Sequence, residues 1–209
     1  YALTGRGVYN PYQNEGQILH VGAALSFRTP DATKDGSSER SVSYGANLGS
    51  MVNSTKFVNA VIPDVRNTFK VAGEFIGAIG KLSLQGEYFL VKANRKHDFK
   101  KYQAWGTYGQ VGVIAIGDGY GYSTQWARLE LPKPGTLEFA VRYSCLDLND
   151  SDADILGGQQ QQFTFGCNYY WKQFIRLRLN YNFAHLDKHA LNGKENFNFI
   201  SARVQVFLN

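Results

Sequence analysis

Nowhere in the 209-residue chain do about 18 apolar residues run together, so no transmembrane helix of ordinary length is written into it. Mean hydropathy is −0.32, but strands that alternate apolar and polar residues average to a polar value, so a strand-built membrane protein stays open. Methionine occurs once and proline five times. The only cysteines, Cys145 and Cys167, sit on the apolar phase of neighbouring strands. They read as free thiols acting as small hydrophobes, because a bridge between adjacent strands needs a specific register. The four histidines, His20, His97, His185 and His189, are scattered. With no nucleophile elbow, phosphate-binding glycine loop or metal-ligand spacing, neither an enzyme nor a bound cofactor or metal is expected. Gly117-Asp118-Gly119-Tyr120-Gly121 follows no strand–helix pattern and reads as a flexible turn. The opening Tyr1-Ala2-Leu3-Thr4-Gly5-Arg6 lacks Met and a signal peptide and is already in strand style, so the sequence is expected to be a mature or partial chain.

What the chain has in quantity is Tyr (13), Phe (14) and Gly (22), arranged with period two. Between Ile175 and Phe183, Ile175, Leu177, Leu179, Tyr181 and Phe183 alternate with Arg176, Arg178, Asn180 and Asn182. A strand turns successive side chains to opposite faces, giving one greasy face and one wet, cationic face. The same alternation runs through Leu137–Cys145, Phe163–Trp171 and Ile200–Leu208. Nine long strands are predicted near 1–10, 16–28, 67–77, 80–92, 100–114, 136–148, 159–171, 174–187 and 196–208, the pattern of a transmembrane antiparallel β-barrel. The net charge of +5 and pI of about 9.1 permit anionic partners. The basic residues are spread rather than clustered, which argues against nucleic acid.

Connections alternate between tight (77–80, 171–173) and long (29–66, 149–159, 187–195). With the C-terminus in the periplasm, the long ones face outward. Segment 115–135 is the exception, a long periplasmic turn in which Ser123–Leu131 has room for another strand. Single-chain bacterial barrels normally have an even number of strands. Nine therefore implies the C-terminal portion of a larger barrel, and a strand at 123–131 would instead allow a ten-stranded one.

Several segments resemble the phosphate-selective porin O/P family. They are Phe139–Asp150 (FAVRYSCLDLND), Gly157-Gly158, Phe163–Tyr170 (FTFGCNYY), Arg176–Tyr181 (RLRLNY), Leu82–Tyr88 (LSLQGEY) and Arg203–Val206 (RVQV). They keep the family's order from near residue 1 to the end. The resemblance implies a trimeric, 16-stranded outer-membrane porin with an arginine-rich lumen, of which this chain supplies about the last nine strands. It also implies lipid and lipopolysaccharide surroundings and passive diffusion of small anions, phosphate or polyphosphate among them. The family's usual terminal Phe is replaced by Leu208 and Asn209, and its main constriction loop lies outside this sequence, so selectivity is not carried over residue by residue.

Strand phase places Arg6, His20, Arg28, Lys70, Arg142, Arg176, Arg178 and Arg203 on the non-lipid face, where a charge escapes the roughly 2–4 kcal/mol cost of lipid exposure. Guanidinium binds phosphate oxygens bidentately and stays charged, so these arginines suit an anion path. Equally, they suit salt bridges to Glu74, Glu87 and Glu138. Loop 29–66 carries Lys34, Arg40, Lys56 and, at its exit, Arg66, with Arg28 at its entry. If it folds inward, as the resemblance implies, Arg40 and Lys56 join the path; otherwise it is a solvated outer loop. Lys92–Lys101 reads as a solvated loop near acidic headgroups. The expected function is an outer-membrane anion porin, with a non-conducting partner barrel of an envelope complex and a soluble β-sandwich as the rivals.

Overall fold

The computed structural model describes residues 1–14, 16–31, 40–49 and 54–207. Thirteen strands follow one another: β1 (Ala2–Asn14), β2 (Gln17–Arg28), β3 (Val42–Ala46), β4 (Val58–Ile62), β5 (Val65–Ile79), β6 (Leu82–Arg95), β7 (Tyr102–Ile116), β8 (Tyr122–Ser123), β9 (Arg128–Leu129), β10 (Thr136–Asp150), β11 (Ile155–Lys172), β12 (Ile175–Leu186) and β13 (Glu195–Val206). Nine form one antiparallel sheet in the order β1-β2-β5-β6-β7-β10-β11-β12-β13. Each of the nine is at least 12 residues long, more than the roughly 9–11 that a tilted strand needs to cross a bilayer. β1 and β13 are the edges, and the sheet does not close.

Register makes the two faces explicit. On one, Leu179 stands beside Cys167 and Ala202, and Tyr181 beside Phe165 and Ile200. On the other, Arg178 stands beside Asn168 and Arg203, and Arg176 beside Tyr170 and Gln205. The apolar rows point outward, with Leu179 53% and Phe165 50% exposed, whereas Glu138, Gln162, Arg176 and Asn182 are buried. A water-soluble sandwich would turn its apolar rows inward. Here the polar face is the covered one.

Both cysteines are free: Cys145 faces Gln161, and Cys167 faces Phe139. Three sequence expectations need correction. The predicted loop 149–159 shrinks to residues 151–154, because β10 runs to Asp150 and β11 starts at Ile155, with a register shift between Asp147 and Asn149. The first strand continues past residue 10 to Asn14, again through a register shift. Ser123–Leu131 is not a tenth strand of the sheet. A turn at 124–127, with Ala127 at φ 47°, folds it so that β8 and β9 pair only with each other.

Within 29–66, β3 and β4 form a hairpin laid against β11 and β10 at the end of the sheet that carries the long connections. Val58 and Ile62 are fully buried there, among Tyr102, Leu148, Ala184 and Leu186. Each such aliphatic side chain gains about 1.5–3 kcal/mol from burial. Gly158, at φ +88°, lets the β11 backbone pass beneath Val58, whose Cγ1 would lie 3.0 Å from any added Cβ. Phe57 meets Phe197 edge-on at 5.1 Å.

Candidate functional site

At the opposite end, residues 117–135 fold back across the polar face instead of projecting away. The Tyr120 N–H donates to the Gly80 carbonyl at 2.9 Å, and the Gly16 N–H donates to the Tyr120 carbonyl at 3.4 Å, tying three turns together. Tyr122 Oη donates to Asn10 Oδ1 at 2.9 Å and lies 2.6 Å from Nδ1 of the fully buried His20. Arg6 reaches the Ala127 carbonyl at 3.4 Å. Lys133, 2.9 Å from Asp118, holds that exposed carboxyl below its usual range by hydrogen bond and charge.

Tyr120 crosses the sheet directly over Gly112, where an added Cβ would sit 2.5 Å from the phenol oxygen. Its Oη then donates to Glu138 Oε1 at 2.7 Å. Burial pushes this phenol above its ordinary pKa, so it remains a donor. Glu138 Oε2 accepts two more bonds, from Tyr170 Oη at 3.0 Å and Asn168 Nδ2 at 3.1 Å.

Between this segment and the polar face of β10–β12 lies a cavity of ≈ 460 Å³. Arg128, Arg142, Arg176 and Arg178 line it, against only two carboxylates, Glu130 and Glu138. A somewhat larger hollow, ≈ 530 Å³, lies among Tyr12, Phe75, Gly77 and Leu84 and is lined by no charged residue.

The choice between paired and free arginines resolves by residue. Arg6 is paired, its Nε and a terminal nitrogen reaching the two Glu74 oxygens at 2.7 and 2.9 Å. The other two glutamates are held by neutral donors, Glu87 by Tyr108 Oη at 2.6 Å and Glu138 by the three groups above. The Glu138–Arg142 pair suggested by their shared face is not formed. Among the described residues Arg142, Arg176 and Arg178 make no ion pair. Arg142 stacks 3.7 Å above the Tyr108 ring, and Arg176 lies 4.8 Å from the Tyr170 ring and 5.4 Å from that of Phe207. Arg176 is only 5% exposed, and its Nε, like that of Arg178, is buried without an acceptor. Transfer of an unpaired charge from water costs several kcal/mol unless something of opposite sign arrives.

The remaining predicted residues lie elsewhere. Arg203 stands opposite Arg178 on β13, outside the cavity lining. Arg28, exposed, ends β2 opposite Thr68. Arg40 is half-buried, with an unpartnered Nε and a carbonyl that accepts the Val65 N–H at 2.7 Å. Lys56 is exposed just before β4. Lys34, Leu208 and Asn209 lie outside the described residues. Arg128 was not singled out by sequence; the weak alternation of Ser123–Leu131 was its only signal.

A family model described as phosphate-selective porin O and P matches residues 1–208. An uncharacterized protein of Caulobacter vibrioides is 28% identical over 197 residues, covering 90% of this chain and 37% of that protein. Porin O of Pseudomonas aeruginosa is 24% identical over 207 residues, covering 88% of this chain and 47% of that protein. The chain thus spans less than half the length of either relative.

Proposed function

The chain belongs to the phosphate-selective porin O and P family, and from that premise we propose that its polar face lines a water-filled path for small anions across the bacterial outer membrane, phosphate or polyphosphate among them. The family is one of porins, channels rather than enzymes, and this supports the reading. The lumen takes its character from Arg142, Arg176 and Arg178, with Arg128 reaching in from the folded-back segment; Arg203, Arg28, Arg40 and Lys56 continue the path beyond the cavity. The apolar rows face lipid, lipopolysaccharide or a neighbouring subunit of a homotrimer.

The observation that carries this reading is Arg176, buried to 5% exposure with an unsatisfied Nε and no carboxylate partner among the described residues. Arg6, by contrast, is paired with Glu74. An arginine left charged and unpaired beside a cavity is arranged for an anion that comes and goes. Preformed cationic walls draw anions in and pass them between neighbouring sites.

The test is the reversal potential in planar bilayers under a KCl gradient. The wild-type pore takes the sign of chloride preference, and Arg176→Glu with Arg178→Glu moves it toward or past zero. A cation-selective wild type, or a double variant with unchanged selectivity, overturns the reading.

A further inference from the structure

Bare phosphate needs charge and little else, yet the cavity offers more. Asn180, Gln85 and Gln110 also line it, and none makes a side-chain hydrogen bond among the described residues. Primary amides carry two donors and an acceptor, the complement of a hydroxyl group, which both donates and accepts. The volume of ≈ 460 Å³ also lies within the roughly 300–1,000 Å³ range of sites that hold small organic molecules.

Register places Gln85 and Gln110 in the cross-strand row of Arg142, and Asn180 one row nearer Arg178. Arg178 stands opposite Asn168 of β11, and Arg142 opposite Thr164 of the same strand, a spacing of about 13 Å along the strand. Between those levels the face carries Ala140, Gly166 and Asn180, all in one cross-strand row. The small residues leave room, and Asn180 supplies the polar floor. The end formed by Arg176 and Arg178 therefore opens onto a level floored by Asn180, beyond which Arg142 shares its row with Gln85 and Gln110.

We propose that this cavity is a binding station for a phosphate monoester with a hydroxyl-rich body, such as a phosphorylated sugar. The phosphate sits against Arg176 and Arg178 and the hydroxyls against Asn180, with Gln85 and Gln110 one row further on beside Arg142. The assignment rests on the anion-path reading above and narrows its substrate class. Glu138, held by three neutral donors, forms no salt bridge with either arginine.

The experiment measures how strongly four solutes block chloride current through the purified protein in bilayers: glucose 6-phosphate, inorganic phosphate, pyrophosphate and glucose. Glucose 6-phosphate is expected to block at concentrations about tenfold or more below inorganic phosphate, with glucose far weaker, and Asn180→Ala narrows that ratio several-fold. Equal block by glucose 6-phosphate and phosphate overturns the inference while leaving an anion pore intact. Stronger block by pyrophosphate overturns it in favour of a bare polyanion, and block by glucose as strong as by its phosphate overturns it because the guanidinium end then plays no part. A ratio that Asn180→Ala leaves unchanged also overturns it. A wild-type current with no anion preference is a different failure, that of the anion path itself.

Discussion

Replacing Arg176 by Met separates a functional arginine from a structural one, because the two roles predict opposite changes in stability. In the folded chain Arg176 has lost most of its water, keeps an unpartnered Nε, and forms no salt bridge among the described residues, Glu138 acting on it only from a distance. The desolvation penalty of a charged group in real proteins is several kcal/mol. Against it stand two ring contacts, at 4.8 Å to Tyr170 and 5.4 Å to Phe207, each worth about 0.5–2 kcal/mol. Methionine keeps the stem, fills irregular space and packs well against aromatic rings. Arg176→Met should therefore stabilise the fold by about 1–3 kcal/mol, in the range seen when buried ionic groups give way to apolar ones. The same change removes a charge-assisted contact to the anion, worth about 1.5–3 kcal/mol, so block by phosphate weakens about tenfold or more. Guanidinium unfolding in detergent micelles gives the first quantity, and chloride-current block in bilayers the second. A variant that is less stable than wild type, with block unchanged, would show that Arg176 holds structure and refute the reasoning.

Gly112→Ala brings a Cβ to 2.5 Å from Tyr120 Oη and 2.7 Å from Ser83 Oγ; we expect a cost of about 1–3 kcal/mol and faster proteolysis within 117–135, while cleavage at the wild-type rate would contradict the docked segment. Glu138→Ala leaves Tyr120, Tyr170 and Asn168 without their acceptor, at about 1–3 kcal/mol for each buried donor stranded; Glu138→Gln should cost much less, and equal unfolding midpoints for the two variants would sink the three-donor account. Burial favours protonation of Asp187, but hydrogen bonds with the Gln159 backbone, the Asn149 amide and the His189 backbone hold its carboxyl below the usual value. A depressed folded-state value means the stabilisation is complete above the unfolded carboxylate range and fades as pH falls through the folded one. Amide exchange in 187–194, corrected for its intrinsic rate, should therefore rise only in acid, and Asp187→Asn should remove that pH dependence; a flat wild-type profile would contradict it.

Strand positions were legible because period-two alternation gives each long strand one apolar and one polar face. Leu177, Leu179 and Tyr181 fall on the face that the sequence assigns them. The strand ends at Asn14, Asp150 and Ile155 were harder, because register shifts let the chain carry on through polar residues that read as loop. The partners of charged groups were not legible at all. Glu138 and Arg142 are four apart on one face, yet the carboxylate turns to Tyr120, which arrives from a segment that reads as a plain turn. Arg128 was missed for the same reason: nothing local says that residues 117–135 fold back over the sheet. That follows from contacts such as Tyr122 with Asn10, 112 positions apart.

The claim beneath all of this is that one face of the sheet is a water-filled, electropositive path and the other meets lipid. Leu179 and Asn180 are consecutive residues on opposite faces, so single cysteines there, with Cys145 and Cys167 changed to Ser, read both faces in one measurement with charged thiol reagents. Cysteine at 180 should react readily, and faster with an anionic reagent than with a cationic one of the same size, while cysteine at 179 stays protected in the membrane. Faster reaction with the cationic reagent, or equal labelling at both positions, would contradict the account.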